Sequence, residues 1–115
     1  PNILKSLDIL KMNRDSIVFA LSNPIPEIFP KDAIRGGARI VATGRSDFPN
    51  QINNVLAFPG IFKGALHARI KKITKTHKIR AAKSIAGLIK KPTIDRILPE
   101  ALDLKVVQAV AKIFS

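Results

Sequence analysis

The sequence predicts an α/β fold in which two short parallel strands precede a mainly helical second half. Two apolar runs rich in β-branched residues, 17–21 and 38–43, indicate the strands. Between them, residues 30–35 have the length and composition of a short helix with proline in its first turn. A strand, helix, strand order gives a right-handed crossover and therefore a parallel pair.

The elements of the first half follow from local signals. Residues 4–12 have apolar side chains at close to helical spacing, which indicates a short first helix. Residues 17–21 form an uninterrupted apolar run, which is typical of a strand buried on both faces of a parallel sheet. A loop is expected at residues 22–29, because three prolines exclude regular structure there: Pro24, Pro26 and Pro30.

The second half reads as three helices. Residues 53–70 predict a helix that is interrupted near Pro59-Gly60, and residues 104–114 predict a closing helix. Residues 74–89 predict a longer amphipathic helix between them. The side chains expected to face inward from this helix are those of Ile79, Ala82, Ile85, Ala86 and Ile89.

Polar segments follow both predicted strands. The carboxyl ends of parallel strands meet at one edge, where ligands collect in open α/β sheets, so we expect Asn23, Asn53 and Asn54 to come together there. A carboxamide both donates and accepts, and can orient a small anionic or amide-bearing ligand. Two structural alternatives stay open: Asn53 and Asn54 cap the next helix, and Asn23 forms an Asx-turn before Pro24.

The charge distribution suggests a different class of function. The net charge is +12, and no Asp or Glu occurs between Phe48 and Ile94, where ten Lys and Arg residues fall. A non-catalytic basic module that binds nucleic acid or another polyanion is therefore the competing hypothesis. Tyr and Trp are absent, and the six Phe residues lie in apolar sequence contexts, which leaves base stacking without an obvious platform. A solvated helix face is the interpretation that we favour.

Long stretches of the chain resemble the malic enzymes, particularly their bacterial and archaeal members. The similarity covers residues 17–28, 37–56 and 58–66 and continues more weakly to residue 99. It includes Ser22-Asn23-Pro24, Gly44-Arg45-Ser46-Asp47-Phe48-Pro49-Asn50-Gln51, Asn53-Asn54-Val55 and Phe58-Pro59-Gly60. The resemblance implies the carboxyl-terminal half of a Rossmann-like NAD(P)-binding domain with a helical tail. Residues 1–58 would hold the strand crossover and ligand loops, and residues 59–115 the mainly helical tail.

The resemblance also implies a reaction, the oxidative decarboxylation of malate to pyruvate and CO2 with NAD or NADP and with Mg2+ or Mn2+. Asn23 resembles the asparagine that lies against the nicotinamide end of the cofactor and the substrate. Asn54 resembles the one that hydrogen-bonds a malate carboxylate, with Asn53 beside it. Members of the family use a tyrosine acid, a lysine base and a Glu-Asp metal motif. This chain has no tyrosine, no Glu-Asp dipeptide and no G-x-G-x-x-G loop.

We therefore expect no catalytic residue and no metal ligand in this chain, and expect an amino-terminal half of the enzyme to supply both. Arg45 is predicted either to pair with Asp47 within their loop or to offer a bidentate fork to a cofactor phosphate or a substrate carboxylate. His67 and His77 are expected to be surface histidines. The lack of cysteine fits a reducing compartment, and no apolar run approaches the ~18 residues of a membrane span, so we expect a cytoplasmic protein without membrane contact. The resemblance implies a homo-oligomer.

Overall fold

Two parallel strands and the helix between them organise the first unit of the structure, a computed structural model that describes all 115 residues. This unit comprises Pro1–Ile52 and Thr93–Arg96. Its elements are α1 (Ser6–Leu10), β1 (Ile17–Ala20), α2 (Pro30–Arg35) and β2 (Ile40–Thr43). The strands pair in parallel, with Ile17 opposite Ile40 and Ala20 opposite Thr43. Both predicted strands, the helix between them and the parallel pairing are confirmed.

The core of this unit lies on one face of the two-stranded sheet. Helices α1 and α2 contribute to it, together with alternate residues of β1, and its members are Ile9, Val18, Ala20, Ile28, Ala33, Ala38 and Val41. The prediction that β1 is buried on both faces is wrong. Ile17 and Phe19 are 56% and 53% exposed, because the second face of the sheet is open at β1, although Ala42 of β2 is fully buried on that face.

The second unit comprises Asn53–Pro92 and Ile97–Ser115 and is entirely helical. A 3-10 turn at Asn54–Leu56 leads into α3 (Phe58–His67), followed by α4 (Lys75–Ala86), α5 (Leu104–Ala111) and a final 3-10 turn at Lys112–Phe114. No helix of the chain is both long enough and apolar enough to cross a membrane. The core of the unit consists of Leu56, Ala81, Ile85, Val106, Val110 and Ile113.

The helix interruption predicted near Pro59-Gly60 is present but lies at Ala57, two residues before Pro59. Helix α3 begins at Phe58 and runs through Pro59 and Gly60. The physical reason is that proline is tolerated in the first turn of a helix, where its missing N–H would have no intrahelical partner. Pro59 therefore marks the start of a helix rather than a gap within one.

The inward face predicted for α4 is correct for Ile85 and wrong for three of its other members. Ile79 is 47% exposed, and Ala82 and Ala86 are exposed as well. The buried residues are Ala81 and Ile85, and the Ser84 hydroxyl donates to the Ala109 carbonyl at 2.9 Å. Besides Ile85, the small residue Ala81 and the polar residue Ser84 face the neighbouring helix, and the spacing of large apolar residues does not identify them.

Helix α3 approaches the carboxyl-terminal helix closely enough that glycine is required at two positions. A Cβ atom at Gly60 would lie 2.5 Å from the Val110 Cβ and 2.9 Å from the Val107 carbonyl oxygen. One at Gly64 would lie 2.5 Å from the Ala111 carbonyl oxygen. Backbone approach of this kind lets Val106 and Val110 become fully buried, and burial of such a side chain contributes about 1.5–3 kcal/mol.

This packing predicts the outcome of Gly60→Ala. In an open helix interior the change would stabilise by about 1 kcal/mol, but here the methyl group overlaps Val110 and forces the two helices apart. We expect the free energy of unfolding to fall by about 2 kcal/mol, as overpacking typically costs. Urea unfolding followed by circular dichroism measures it. Gly87→Ala, at the end of α4 with no close neighbour outside its own helix, is the matched control and should be neutral or stabilising; equal behaviour of the two variants would contradict the overlap.

Candidate functional site

The loop that leaves β2 is folded back against the end of its own strand. Thr43, the last residue of β2, is fully buried, and its hydroxyl accepts from the Arg45 backbone N–H at 3.1 Å. The Ile52 N–H donates to the Thr43 carbonyl at 2.7 Å, and Gln51 forms a parallel bridge with Thr43. The Gln51 side chain donates to the Gly44 carbonyl at 3.3 Å. These bonds hold residues 44–52 in a compact loop at the carboxyl edge of the sheet.

Asn50 is a structural residue of this loop that the sequence analysis did not single out. Its backbone adopts the left-handed conformation, with φ of 57°, and its side chain is buried. Its Nδ2 donates to the Val41 carbonyl at 3.2 Å and to the Ile94 carbonyl at 2.7 Å. The one sequence signal for this role is the tolerance of asparagine for left-handed backbone in a polar turn.

The Asn23 carboxamide lies against Gly44, so the loops after β1 and β2 meet within the first unit. A Cβ atom at Gly44 would be 2.8 Å from Asn23 Nδ2, 3.0 Å from Oδ1 and 3.2 Å from Cγ. The peptide bond between Asn23 and Pro24 is cis. The Asn23 side chain is exposed and makes no hydrogen bond, so the Asx-turn alternative is not observed. Its donor and acceptor both remain open to a ligand.

Glu27 closes the loop that carries Asn23. The Ser22 backbone N–H donates to both carboxylate oxygens, at 3.1 and 3.2 Å, and the Ser22 hydroxyl donates to Oε1 at 2.6 Å. The hydrogen bond from the Ser22 hydroxyl is the main reason that the pKa of Glu27 lies below its ordinary value of 4.5. The carboxylate is therefore charged at neutral pH and is occupied within the loop.

The structure resolves the alternatives for Arg45 in favour of a pair within the loop. The guanidinium Nε and one terminal nitrogen donate to the two Asp47 carboxylate oxygens, each at 2.8 Å. This fork lowers the pKa of Asp47 and raises that of Arg45. The other terminal nitrogen donates to the Pro24 carbonyl at 3.1 Å, and the guanidinium carbon lies 5.7 Å from the centre of the Phe48 ring.

Asn53 and Asn54 begin the second unit and differ in what their side chains do. The Asn53 carboxamide oxygen accepts from the Val55 N–H at 3.0 Å and caps the 3-10 turn, which confirms the capping alternative for this residue. The Asn54 side chain is exposed and makes no hydrogen bond. The ligand roles of Asn23, Asn53 and Asn54 stay predictions, and so does their proximity to one another.

An apolar groove of about 520 Å³ lies along α3 with Asn54 among its lining residues. Phe58 and Phe62 are 54% and 57% exposed, with ring centroids 5.2 Å apart. Three lysines line the same groove, Lys71, Lys72 and Lys78. Exposed aromatic rings and basic side chains therefore do occur together, contrary to what their sequence contexts suggested.

The remaining candidate residues are on the surface or in structural roles. His67 is exposed, whereas His77 is half-buried: its Nδ1 accepts from the Thr74 N–H at 3.1 Å, and its ring lies 4.8 Å from that of Phe114. His77 thus helps to cap α4. No three His, Cys, Asp or Glu side chains are grouped as a metal site would require. All ten Lys and Arg residues between positions 63 and 91 are exposed.

Comparison with known proteins places this geometry in a family. The family described as "Malic enzyme, NAD binding domain" matches residues 2–113. The NAD-dependent malic enzyme of Geobacillus stearothermophilus is 52% identical over 112 residues, which are 96% of this chain and 23% of that protein. The NADP-dependent malic enzyme of Rhizobium meliloti is 50% identical over 95 residues, 80% of this chain and 12% of that protein.

A solved structure agrees over nearly the whole chain. The NAD-dependent malic enzyme of Thermotoga maritima is 53% identical and superposes with a TM-score of 0.91, covering 98% of this chain and 29% of that one. The chain spans about a quarter or less of the length of the two curated relatives. The match at residues 2–113 establishes that this chain belongs to the NAD-binding domain family of the malic enzymes, with a partial Rossmann-like α/β fold.

Proposed function

We propose that this chain is part of an NAD(P)-dependent malic enzyme, which oxidatively decarboxylates malate to pyruvate and CO2. The observation that carries the proposal is the open Asn23 carboxamide at the carboxyl edge of the parallel sheet, the edge at which ligands bind in open α/β folds. The relatives support it, since they are named as NAD- and NADP-dependent malic enzymes.

In this proposal the asparagines bind and orient. Asn23 holds the nicotinamide end of the cofactor and the adjacent substrate, and NAD or NADP accepts the hydride when it is bound. Asn54, with Asn53 beside it, donates to a carboxylate of malate. Neutral donors suit this task because they hold an anion without changing their own protonation state. A hydrogen bond to a charged group of this kind contributes about 1.5–3 kcal/mol.

The residues of this chain do not fit the metal ion that the family uses. Of the carboxylates in the loops at the sheet edge, Glu27 is bonded to Ser22 and Asp47 to Arg45. The proposal therefore assigns the Mg2+ or Mn2+ ligands, the general acid and the general base to an amino-terminal half of the enzyme. No group of this chain takes a catalytic role, and the working protein is proposed to be a cytoplasmic homo-oligomer.

Asn54→Ala in a complete enzyme that contains this segment tests the proposal. We expect the malate KM to rise and kcat to fall, with kcat/KM reduced about 10- to 100-fold, because the lost donor faces the substrate carboxylate. Cofactor affinity, measured by fluorescence without malate, should hardly change. Asn13→Ala, an exposed asparagine outside the proposed ligand loops, is the control. An unchanged malate KM would remove Asn54 from the site.

A second candidate function, polyanion binding, is favoured by the three lysines that line the groove along α3, Lys71, Lys72 and Lys78. We expect this chain to bind a 20-nucleotide single-stranded DNA only weakly and through charge alone, so that affinity falls steeply as salt rises. Fluorescence anisotropy across a salt series measures it. Phe62→Ala should leave the affinity unchanged, and Lys71→Gln should reduce both affinity and salt dependence. Binding that survives ~0.2 M salt and is lost in Phe62→Ala would favour stacking in the groove instead.

A further inference from the structure

We propose that Arg45 and Asp47 together act as a positioning device that fixes the Asn23 carboxamide at the sheet edge, and that neither side chain binds the ligand. The inference rests on the proposed function of Asn23. It assigns a role to a pair that the sequence left undecided between a ligand fork and a loop contact.

Three of the five guanidinium N–H groups of Arg45 are bonded within the two loops. One edge, formed by Nε and a terminal nitrogen, is bonded to both oxygens of Asp47 at 2.8 Å. The opposite terminal nitrogen is directed at the Pro24 carbonyl at 3.1 Å. Bidentate recognition of a phosphate or carboxylate needs two parallel N–H groups, and the Nε edge already makes such a fork with Asp47.

The same bonds connect the two chain segments on either side of Asn23. Pro24 directly follows Asn23, and Gly44, against which the Asn23 carboxamide lies, directly precedes Arg45. The bond from Arg45 to the Pro24 carbonyl therefore sets the distance between the β1 loop and the β2 loop next to the contact between Asn23 and Gly44. Gly44 leaves the space that a Cβ atom would fill. Asp47 contributes by holding the planar guanidinium in one orientation.

Stability alone does not account for this arrangement. The Arg45 and Asp47 side chains are 34% and 53% exposed, and an exposed ion pair contributes about 0–1 kcal/mol. A displacement of about 1 Å of a group that orients substrate can cost about 100-fold in rate. The geometric effect of the pair on Asn23 can therefore exceed its effect on folding by a wide margin.

A mutant cycle in a complete enzyme containing this segment tests the role. Arg45→Ala, Arg45→Lys and Asp47→Asn are each made with Asn23 intact and with Asn23→Ala. With Asn23 intact, we expect each substitution to lower kcat/KM for malate about tenfold, mainly through kcat. In the Asn23→Ala background, we expect the same substitution to lower kcat/KM less than about twofold. Arg45→Lys should resemble Arg45→Ala because an ammonium cannot form the fork. Asp32→Asn, which breaks the exposed Arg35–Asp32 pair of α2, is the matched control and should leave kcat/KM unchanged in both Asn23 backgrounds.

Each other outcome overturns the proposal. Equal losses in both Asn23 backgrounds would mean that the pair acts independently of Asn23, and unchanged kinetics would mean that it has no role. A larger cofactor dissociation constant in the Arg45 variants, measured by fluorescence without malate and equal in both Asn23 backgrounds, would make Arg45 a cofactor ligand.

A structural readout separates this proposal from the proposed function. Absence of malate-dependent NAD or NADP reduction by the unaltered enzyme would refute the function. Crystal structures of the unaltered enzyme and of Asp47→Asn then still decide the positioning role: we expect the Asn23 carboxamide to leave Gly44 in the variant. An unmoved carboxamide would refute positioning whatever the substrate is.

Discussion

The parallel pairing of β1 with β2 is the constraint on which the proposed site depends. Because the two strands run in the same direction, the loops after Ala20 and Thr43 both begin at one edge of the sheet. Antiparallel strands would have sent these loops to opposite ends. Asn23 can lie against Gly44 only because each residue follows its own strand end within three positions. A backbone ladder of four residue pairs thus determines which polar side chains can share a ligand edge.

Charged side chains at this edge are bonded to other protein groups, and the carboxamide of Asn23 is left open. Glu27 accepts from Ser22, and Asp47 accepts from Arg45, so each carboxylate has its charge compensated by donors within its loop. The pKa of both carboxyl groups is lowered, which keeps them ionised and bonded at neutral pH. The loops are therefore held by charge-assisted bonds, which are stronger than neutral ones. The Asn23 carboxamide makes no hydrogen bond within the chain, so its donor and acceptor are both available to a ligand.

Local signals predicted the elements of the first unit well, and non-local packing accounts for the errors. The two β-branched runs and the proline that begins α2 each determine a local backbone conformation, and the structure has all three elements. Exposure of Ile17 and Phe19 depends on what covers the sheet, which strand periodicity does not report. The buried face of α4 depends on the small residue Ala81 and on a bond from Ser84 to α5, a segment 25 positions away.

The candidate ligand residues also divide into features that local sequence predicts and features that depend on distant parts of the chain. Their place after the strands follows from sequence order, and in the structure Asn23 lies at the carboxyl edge of the sheet, against Gly44 of the second loop. The role of Asn50 could not be read in this way, because its Nδ2 bonds the carbonyl of Ile94, 44 positions along the chain. The groove that joins Phe58 and Phe62 to lysines arises because the chain turns back after α3, which brings a basic segment beside an aromatic one.

Capping and ligand binding, which the sequence set against each other for the paired asparagines, are compatible in the geometry observed. The cap uses only the Asn53 carboxamide oxygen, which accepts from the Val55 N–H. A carboxylate ligand accepts hydrogen bonds and needs donors, so the NH2 group that the cap leaves over is the part of Asn53 that such a ligand would use. The cap restrains the side-chain rotamer and so orients this NH2 group before any ligand arrives. Asn54, whose side chain has no bond within the chain, carries no such restraint and would lose rotamer freedom on binding the proposed ligand.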